Sequence, residues 1–132
     1  MAVEQFRLVS EQLLENEPMN NHTTFKIGGN ADMFVSIRSV QELASLLKLA
    51  KKENVPVTVI GNGSNLLVGD NGIRGLVIEI GSGLADCEID GNIIVAQAGI
   101  LLSRLAAEAA KVNLSGLEEL SGIPGTLGGG IY

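Results

Sequence analysis

Apolar positions along this chain change their spacing several times, and each change marks an element. In residues 2–15, Val3, Phe6, Leu13 and Leu14 share roughly one face, while Gln5, Glu11 and Gln12 point elsewhere. That pattern predicts an N-terminal amphipathic helix. Pro18 and the pair Asn20-Asn21 end it, so residues 1–20 are expected to form a helical appendage and the main domain to begin at residue 21. Residues 31–37 read as a short strand after the Gly28-Gly29 turn. Ser39 is a good N-cap, with Glu42 where a capping box needs it. Val40, Leu43, Leu46, Leu47 and Ala50 then repeat at helical spacing. Pro56 drives Val55 out of the α region, which ends this helix near Asn54. Val57-Thr58-Val59-Ile60 is an unbroken apolar and β-branched run, as expected of a strand buried on both faces. Strand, helix and strand on short connections form a right-handed βαβ crossover.

Gly75-Leu76-Val77-Ile78-Glu79-Ile80 reads as a further core strand, and then the style changes. Asp86-Cys87-Glu88-Ile89 alternates, Asp90-Gly91 is a hairpin turn signal, and residues 92–97 are the return strand. Leu101, Leu105, Ala109 and Val112 mark a helix after Gly99. Residues 113–116 break it, and 117–120 give one more helical turn. The expected organisation is a parallel part over 21–84 and a hairpin-and-helix part over 85–132.

The chain has 132 residues, 45% of them hydrophobic and 18% charged, which fits one globular domain or two small subdomains. A net charge of −6 argues against a nucleic-acid partner. It also means that an anionic ligand has to be held by backbone N–H groups and not by a basic patch. Cys87 is the only cysteine, which excludes an intrachain disulfide and a cysteine metal cluster and fits a reducing compartment. It reads as a small core residue. Glu4, Glu11, Glu15 and Glu17 among the first residues exclude a signal peptide or a membrane span there, so a soluble, cytoplasmic protein is expected.

Two glycine-bearing loops carry the candidate chemistry. Gly61-Asn62-Gly63-Ser64-Asn65-Leu66-Leu67-Val68 lies at the carboxyl end of a strand, where open α/β sheets bind ligands. Gly61 and Gly63 present no side chain, so successive N–H groups can converge on a phosphate oxygen, with Ser64 and Asn65 adding donors. An ordinary tight turn fits the same residues. Leu66 stands where the Rossmann fingerprint needs its third glycine, and no Gly-Lys-Ser/Thr follows, so neither of those phosphate motifs is present. In Ser121-Gly122-Ile123-Pro124-Gly125-Thr126-Leu127-Gly128-Gly129-Gly130, Pro124 fixes φ and the glycines remove steric cover. The result is either a flat backbone strip for an aromatic ligand or a structural turn before a strand. The chain stops at Tyr132, just past this loop, and reads as the first part of a larger nucleotide-cofactor enzyme. His22 has no second ligand or nucleophile near it in sequence and reads as structural. Asp86, Glu88 and Asp90 read as a solvated strand face.

Five stretches in order resemble the UDP-N-acetylenolpyruvoylglucosamine reductase family of bacterial peptidoglycan synthesis. They are Asn21-His22-Thr23-Thr24-Phe25-Lys26-Ile27-Gly28-Gly29, residues 61–68, residues 70–78, Leu114-Ser115-Gly116-Leu117-Glu118 and residues 122–129. The resemblance covers 21–132 and implies an α+β, vanillyl-alcohol-oxidase/PCMH-like FAD-binding fold. In that fold a small parallel βαβ subdomain is followed by an antiparallel one, incomplete here, with FAD between them. It implies that Gly61, Asn62, Gly63, Ser64, Asn65, Leu66 and Leu67 hold the FAD pyrophosphate. It places Gly122, Ile123, Pro124, Gly125, Thr126, Gly128 and Gly129 along the flavin and adenylate side. In the family, NADPH reduces FAD, and the flavin passes hydride to the enolpyruvyl double bond of UDP-N-acetylglucosamine enolpyruvate. A serine, aided by a glutamate and an arginine, supplies the proton. Those residues map beyond Tyr132, so no catalytic residue is assigned. The chain alone is expected to be inactive, to bind FAD poorly and to self-associate through an open sheet edge. Asn30 stands where the family favours proline, and Gly130 where it favours alanine. Two other readings are a different FAD oxidoreductase of the same fold, acting on alcohols or sugars, and a non-enzymatic α/β module.

Overall fold

A computed structural model describes residues 3–132. Its centre is a four-stranded sheet in the order β1-β2-β4-β3, formed by β1 (Leu14–Pro18), β2 (Asn30–Ser36), β3 (Val57–Ile60) and β4 (Ile73–Glu79). β2, β4 and β3 run parallel, and β1 lies antiparallel on the outside of β2. Consecutive residues of β2 and β4 are buried on opposite faces, as strand geometry requires. Met33, Val35, Leu76 and Ile78 point to one face, where helices α1 (Val3–Val9) and α2 (Val40–Lys52) supply Phe6, Leu46 and Ala50. Phe34 and Val77 point to the other, where no α-helix of the described residues lies. Met19, from the 3₁₀ turn Met19–Asn21, covers that face together with Val68 and the half-buried Leu66 from the loop after β3.

The N-terminal helix is shorter than its pattern implies, and the first position expected in it, Ala2, lies outside the described residues. α1 stops at Val9, and the chain then turns so that Leu14 pairs with Phe34 and Pro18 with Asn30. Strand pairing overrides helical spacing here because β2 offers a free edge and Leu13 reaches the same buried cluster as Phe6. Pro18, read from sequence as a helix stop, is tolerated in β1 because an edge strand can lack an N–H. The run 57–60 also lies differently from expectation. β4 inserts between β2 and β3, so β3 is an edge strand and Val59 is 53% exposed. An apolar run reveals that a segment is a strand but not which strand is central.

Elsewhere local signals hold. Ser39 Oγ accepts the Glu42 N–H at 3.1 Å. The Glu42 carboxylate does not complete the box on Ser39. It accepts instead from Ser10 Oγ at 2.9 Å and from the Arg38 N–H at 3.4 Å, tying α2 to the segment after α1. At its other end, Asn54 takes a left-handed φ of 54° and the Val55 N–H returns to the Ala50 carbonyl at 2.9 Å, a helix stop of the Schellman kind.

The second part begins with the hairpin β5 (Cys87–Asp90) and β6 (Ile93–Ala96). Asp90 pairs with Ile93, so the turn is Gly91-Asn92, one residue later than Asp90-Gly91. Gly91, at φ 59°, takes the first central position, which in a primed turn needs positive φ. Glu88 and Asp90 are exposed, as expected, but Ile93 and Val95 share their face at 67% and 66% exposure. Cys87 is half-buried on the inner face. Helix α3 (Leu102–Lys111) buries Leu102, Leu105, Ala106 and Ala109, while Leu101 and Val112, expected inside its stripe, flank it exposed. A 3₁₀ turn, Glu118–Gly122, follows. There the Glu118 carboxyl is held below its ordinary range by its own N–H and that of Gly116. No helix among the described residues is long and apolar enough to cross a membrane.

Phe6 is fully buried although it lies in the segment whose pattern predicted an appendage. Phe6→Ala is therefore expected to cost about 3 kcal/mol or more of unfolding free energy, measured by denaturant titration. A cost near zero would restore the appendage.

Candidate functional site

The carboxyl ends of the parallel strands bring Ser36, Ile60 and Glu79 side by side, since Glu79 pairs with both of the others. The first glycine loop leaves from Ile60 and is clasped by residues 22–24. The Thr24 N–H donates to the Gly63 carbonyl at 3.1 Å, and the buried Thr23 accepts the Lys26 N–H on Oγ1 at 3.1 Å. Gly63 has φ 73°, and the space a Cβ would need is filled by the His22 carbonyl. Its glycine is thus demanded by the protein's own packing, whatever approaches from outside. Asn62 Oδ1 accepts the Ser64 N–H at 3.3 Å. The N–H groups of Asn62, Gly63 and Asn65 donate to nothing within the described chain.

The second loop does not form a flat strip or lead into a strand. Thr126 caps a short helix, α4 (Leu127–Ile131), that includes all three glycines, and its Oγ1 accepts the Gly129 N–H at 3.4 Å. Glycine is a poor helix former. Here the cap and tertiary bonds outweigh that, with Leu127 N–H on the Ile100 carbonyl at 2.8 Å and Gly128 N–H on Ala98 at 2.9 Å. Gly128 and Gly130 let α4 lie close against Ala98 and Leu102.

The two loops, some sixty residues apart in sequence, meet. A Cβ on Gly61 would stand 2.7 Å from Thr126 Oγ1, and one on Gly125 would stand 3.1 Å from Ser64 Oγ. Thr126 is only 3% exposed at this contact and borders a cavity on each side of it. One, of about 510 Å³, lies between the strand ends and α3, with His22, Thr24, Asn62, Glu79, Ser82 and Arg104 on its walls. The other, of about 660 Å³, runs along β3 to Ala98, Gly128, Gly129 and Tyr132. Of the residues singled out in sequence, Gly61, Asn62, Ser64, Gly125 and Thr126 gather at this junction. Leu66 instead packs under the sheet, and Asn65, Leu67, Gly122, Ile123 and Pro124 are exposed and line neither cavity.

Sequence reading gave Glu79 and Arg104 no role on the wall of the first cavity and took His22 as structural. His22 Nε2 lies 2.8 Å from Glu17 Oε1, its ring stacks on Phe34 at 4.0 Å, and Nδ1 is 4.0 Å from Glu79 Oε2. Glu79 Oε1 accepts from Ser36 Oγ at 2.9 Å. Across the cavity, Arg104 donates to the Ala85 carbonyl at 3.0 Å. The available signal was positional: Glu79 ends a parallel strand, on the edge of the sheet where ligands bind. No group of three or more His, Cys, Asp or Glu among the described residues is arranged to hold a metal ion.

Comparison with known proteins bears on the family and the fold. The FAD binding domain family matches residues 31–132. The UDP-N-acetylenolpyruvoylglucosamine reductase of Desulforamulus reducens is 49% identical over 131 residues, which are 99% of this chain and 43% of that protein. The crystal structure of the reductase of the same name from Thermus caldophilus matches with a TM-score of 0.67 and 35% identity, over 91% of this chain and 40% of that one. p-Cresol methylhydroxylase matches with a TM-score of 0.60 at 19% identity, over 86% of this chain and 24% of that one, a likeness of fold alone. The α+β, PCMH-like fold expected from sequence is the fold found. The chain spans about two fifths of the length of these reductases.

The clasp on Gly63 yields a stability prediction. Gly63→Ala places a Cβ against the His22 carbonyl at a positive φ and is expected to cost about 2 kcal/mol or more. Gly69→Ala, with nothing within 4 Å of its Cβ, is expected to cost less than about 1 kcal/mol. Thermal unfolding of both variants checks the contrast.

Proposed function

The chain belongs to the FAD binding domain family, and from that premise we propose that it is the FAD-holding part of an NADPH-dependent reductase of peptidoglycan precursor synthesis. The reaction is reduction of UDP-N-acetylglucosamine enolpyruvate to UDP-N-acetylmuramate, in the cytoplasm. The observation that carries the reading is the contact of Gly61 with Thr126 between two cavities. A dinucleotide has two bulky halves joined by a compact anion. The anion fits the N–H groups of Asn62, Gly63 and Asn65, which have no partner within the described chain, and the halves fit the cavities on either side. A net charge of −6 leaves backbone donors as the natural anion site. The identity to a reductase of this name over 99% of the chain supports the substrate assignment.

In this reading residues 61–65 hold the pyrophosphate, and Leu66 anchors their loop on the sheet. Gly125, Thr126, Gly128 and Gly129 shape the facing wall, with Gly122, Ile123 and Pro124 forming its outer lip. When bound, FAD supplies a carrier that accepts hydride from NADPH and gives it to the substrate. The contribution of this chain is to bind and orient that carrier between the parts 21–84 and 85–132.

Titration of the purified chain with FAD, followed by flavin fluorescence, is expected to show saturable binding weaker than micromolar. No binding at millimolar FAD overturns the proposal. NADPH consumption dependent on the enolpyruvyl sugar nucleotide is expected at background, because no proton donor is assigned here. Turnover by the pure chain would overturn that assignment.

The open edge of β3 and the exposed Ile93 and Val95 also support self-association. Light scattering is expected to show a mass that grows with concentration and falls back to monomer in Val95→Lys. A strictly monomeric parent chain would end this part of the reading.

A further inference from the structure

Arg104 stands apart from the other arginines of the chain. Arg7 pairs with the carboxylates of Glu4 and Glu15, Arg38 with Glu42 and Arg74 with Asp32. Arg104 pairs with no carboxylate among the described residues, although Asp and Glu outnumber Lys and Arg by 15 to 9. Within the described chain its guanidinium makes one hydrogen bond, from Nη1 to the Ala85 carbonyl at 3.0 Å. A guanidinium carries five N–H donors in a rigid plane, so this bond steadies the fork and leaves other donors open. Arg104 and Ala85 line the first cavity, and so does Asn62, where the stretch of unpartnered loop N–H groups begins. The carboxylate on the same cavity belongs to Glu79, which enters from the end of β4. Its Oε1 accepts from Ser36 Oγ at 2.9 Å, and no ion pair joins it to Arg104.

We propose that Arg104 is a phosphate-binding residue of this site, donating from its open N–H groups to the anion that the 62–65 backbone holds. Backbone N–H groups give direction but no net charge, whereas Arg104 supplies a full positive charge in a chain of net charge −6. A planar guanidinium matches the paired oxygens of a phosphate, and a pyrophosphate offers a second phosphate once the loop holds the first. The inference rests on the dinucleotide reading above and deepens it, by naming the side chain that meets the phosphates.

The test titrates FAD and ADP by calorimetry into the 132-residue chain and into its Arg104→Gln and Arg104→Lys variants, at low and at high NaCl. ADP carries the two phosphates without the flavin half. Arg104→Gln is expected to bind both ligands about tenfold more weakly at low salt, the scale of a lost hydrogen bond to a charged group. High salt is expected to shrink that difference, because it screens the charge. Arg104→Lys keeps the charge and is expected to recover part of the loss. Should Arg104→Gln lose its fold by circular dichroism, Arg104→Met, which keeps an apolar stem, takes its place. A folded uncharged variant that binds FAD as the parent does overturns the phosphate role and leaves the dinucleotide reading standing. A loss with FAD but not with ADP overturns it too, since it puts Arg104 on the flavin half. So does a lysine variant as weak as the uncharged one, or a parent that binds FAD but not millimolar ADP. A parent chain that binds neither ligand overturns both readings.

Discussion

β4 is buried on both faces and flanked on both edges, and the rest of the structure answers to that constraint. A parallel strand in that position needs two covers. α1 and α2 provide one around Phe6 and Leu46. The second comes from irregular chain, through Met19, Leu66 and Val68. Segments that cover a core are ordered by it, and these same segments carry His22, Thr24 and the 61–65 loop. The candidate site is therefore held in place by apolar contacts beneath it, and the hydrogen bonds between its loops only refine the geometry.

The glycines illustrate how one residue type serves two ends. Gly61, Gly63 and Gly125 are the positions where a Cβ would strike Thr126, the His22 carbonyl or Ser64. Close approach between loops is their first effect. The bare backbone left on the open side is a by-product of that packing, and it is what makes an anion site possible without a basic patch. Sequence inspection that asks only what ligand a glycine motif admits overlooks the neighbouring loop as the nearer claimant.

Legibility from sequence followed the range of the interactions concerned. The cap at Ser39, the stop at Asn54 and the hairpin of β5 and β6 are decided within a few residues, and they were readable. The edge position of β3 is decided by β4, which comes later in the chain, and the run Val57-Thr58-Val59-Ile60 holds no trace of it. Helical spacing places Leu14 in a helix, whereas the free edge of β2 decides its conformation. The meeting of Gly61 with Thr126 joins positions sixty-five apart, so the two motifs were visible but their junction was not. His22 and Glu79 share no motif, and only the fold makes them neighbours.

The composition of α4 has a kinetic consequence. Its first turn contains consecutive glycines, which keep wide conformational freedom in the unfolded chain and resist helix nucleation. Its supports, the carbonyls of Ala98 and Ile100 and the side of Leu102, exist only once the hairpin and the start of α3 have come together. Loop closure between Gly61 and Thr126 must wait for the sheet as well. The junction of the two loops is thus expected to assemble late on folding and to open early when the chain begins to unravel.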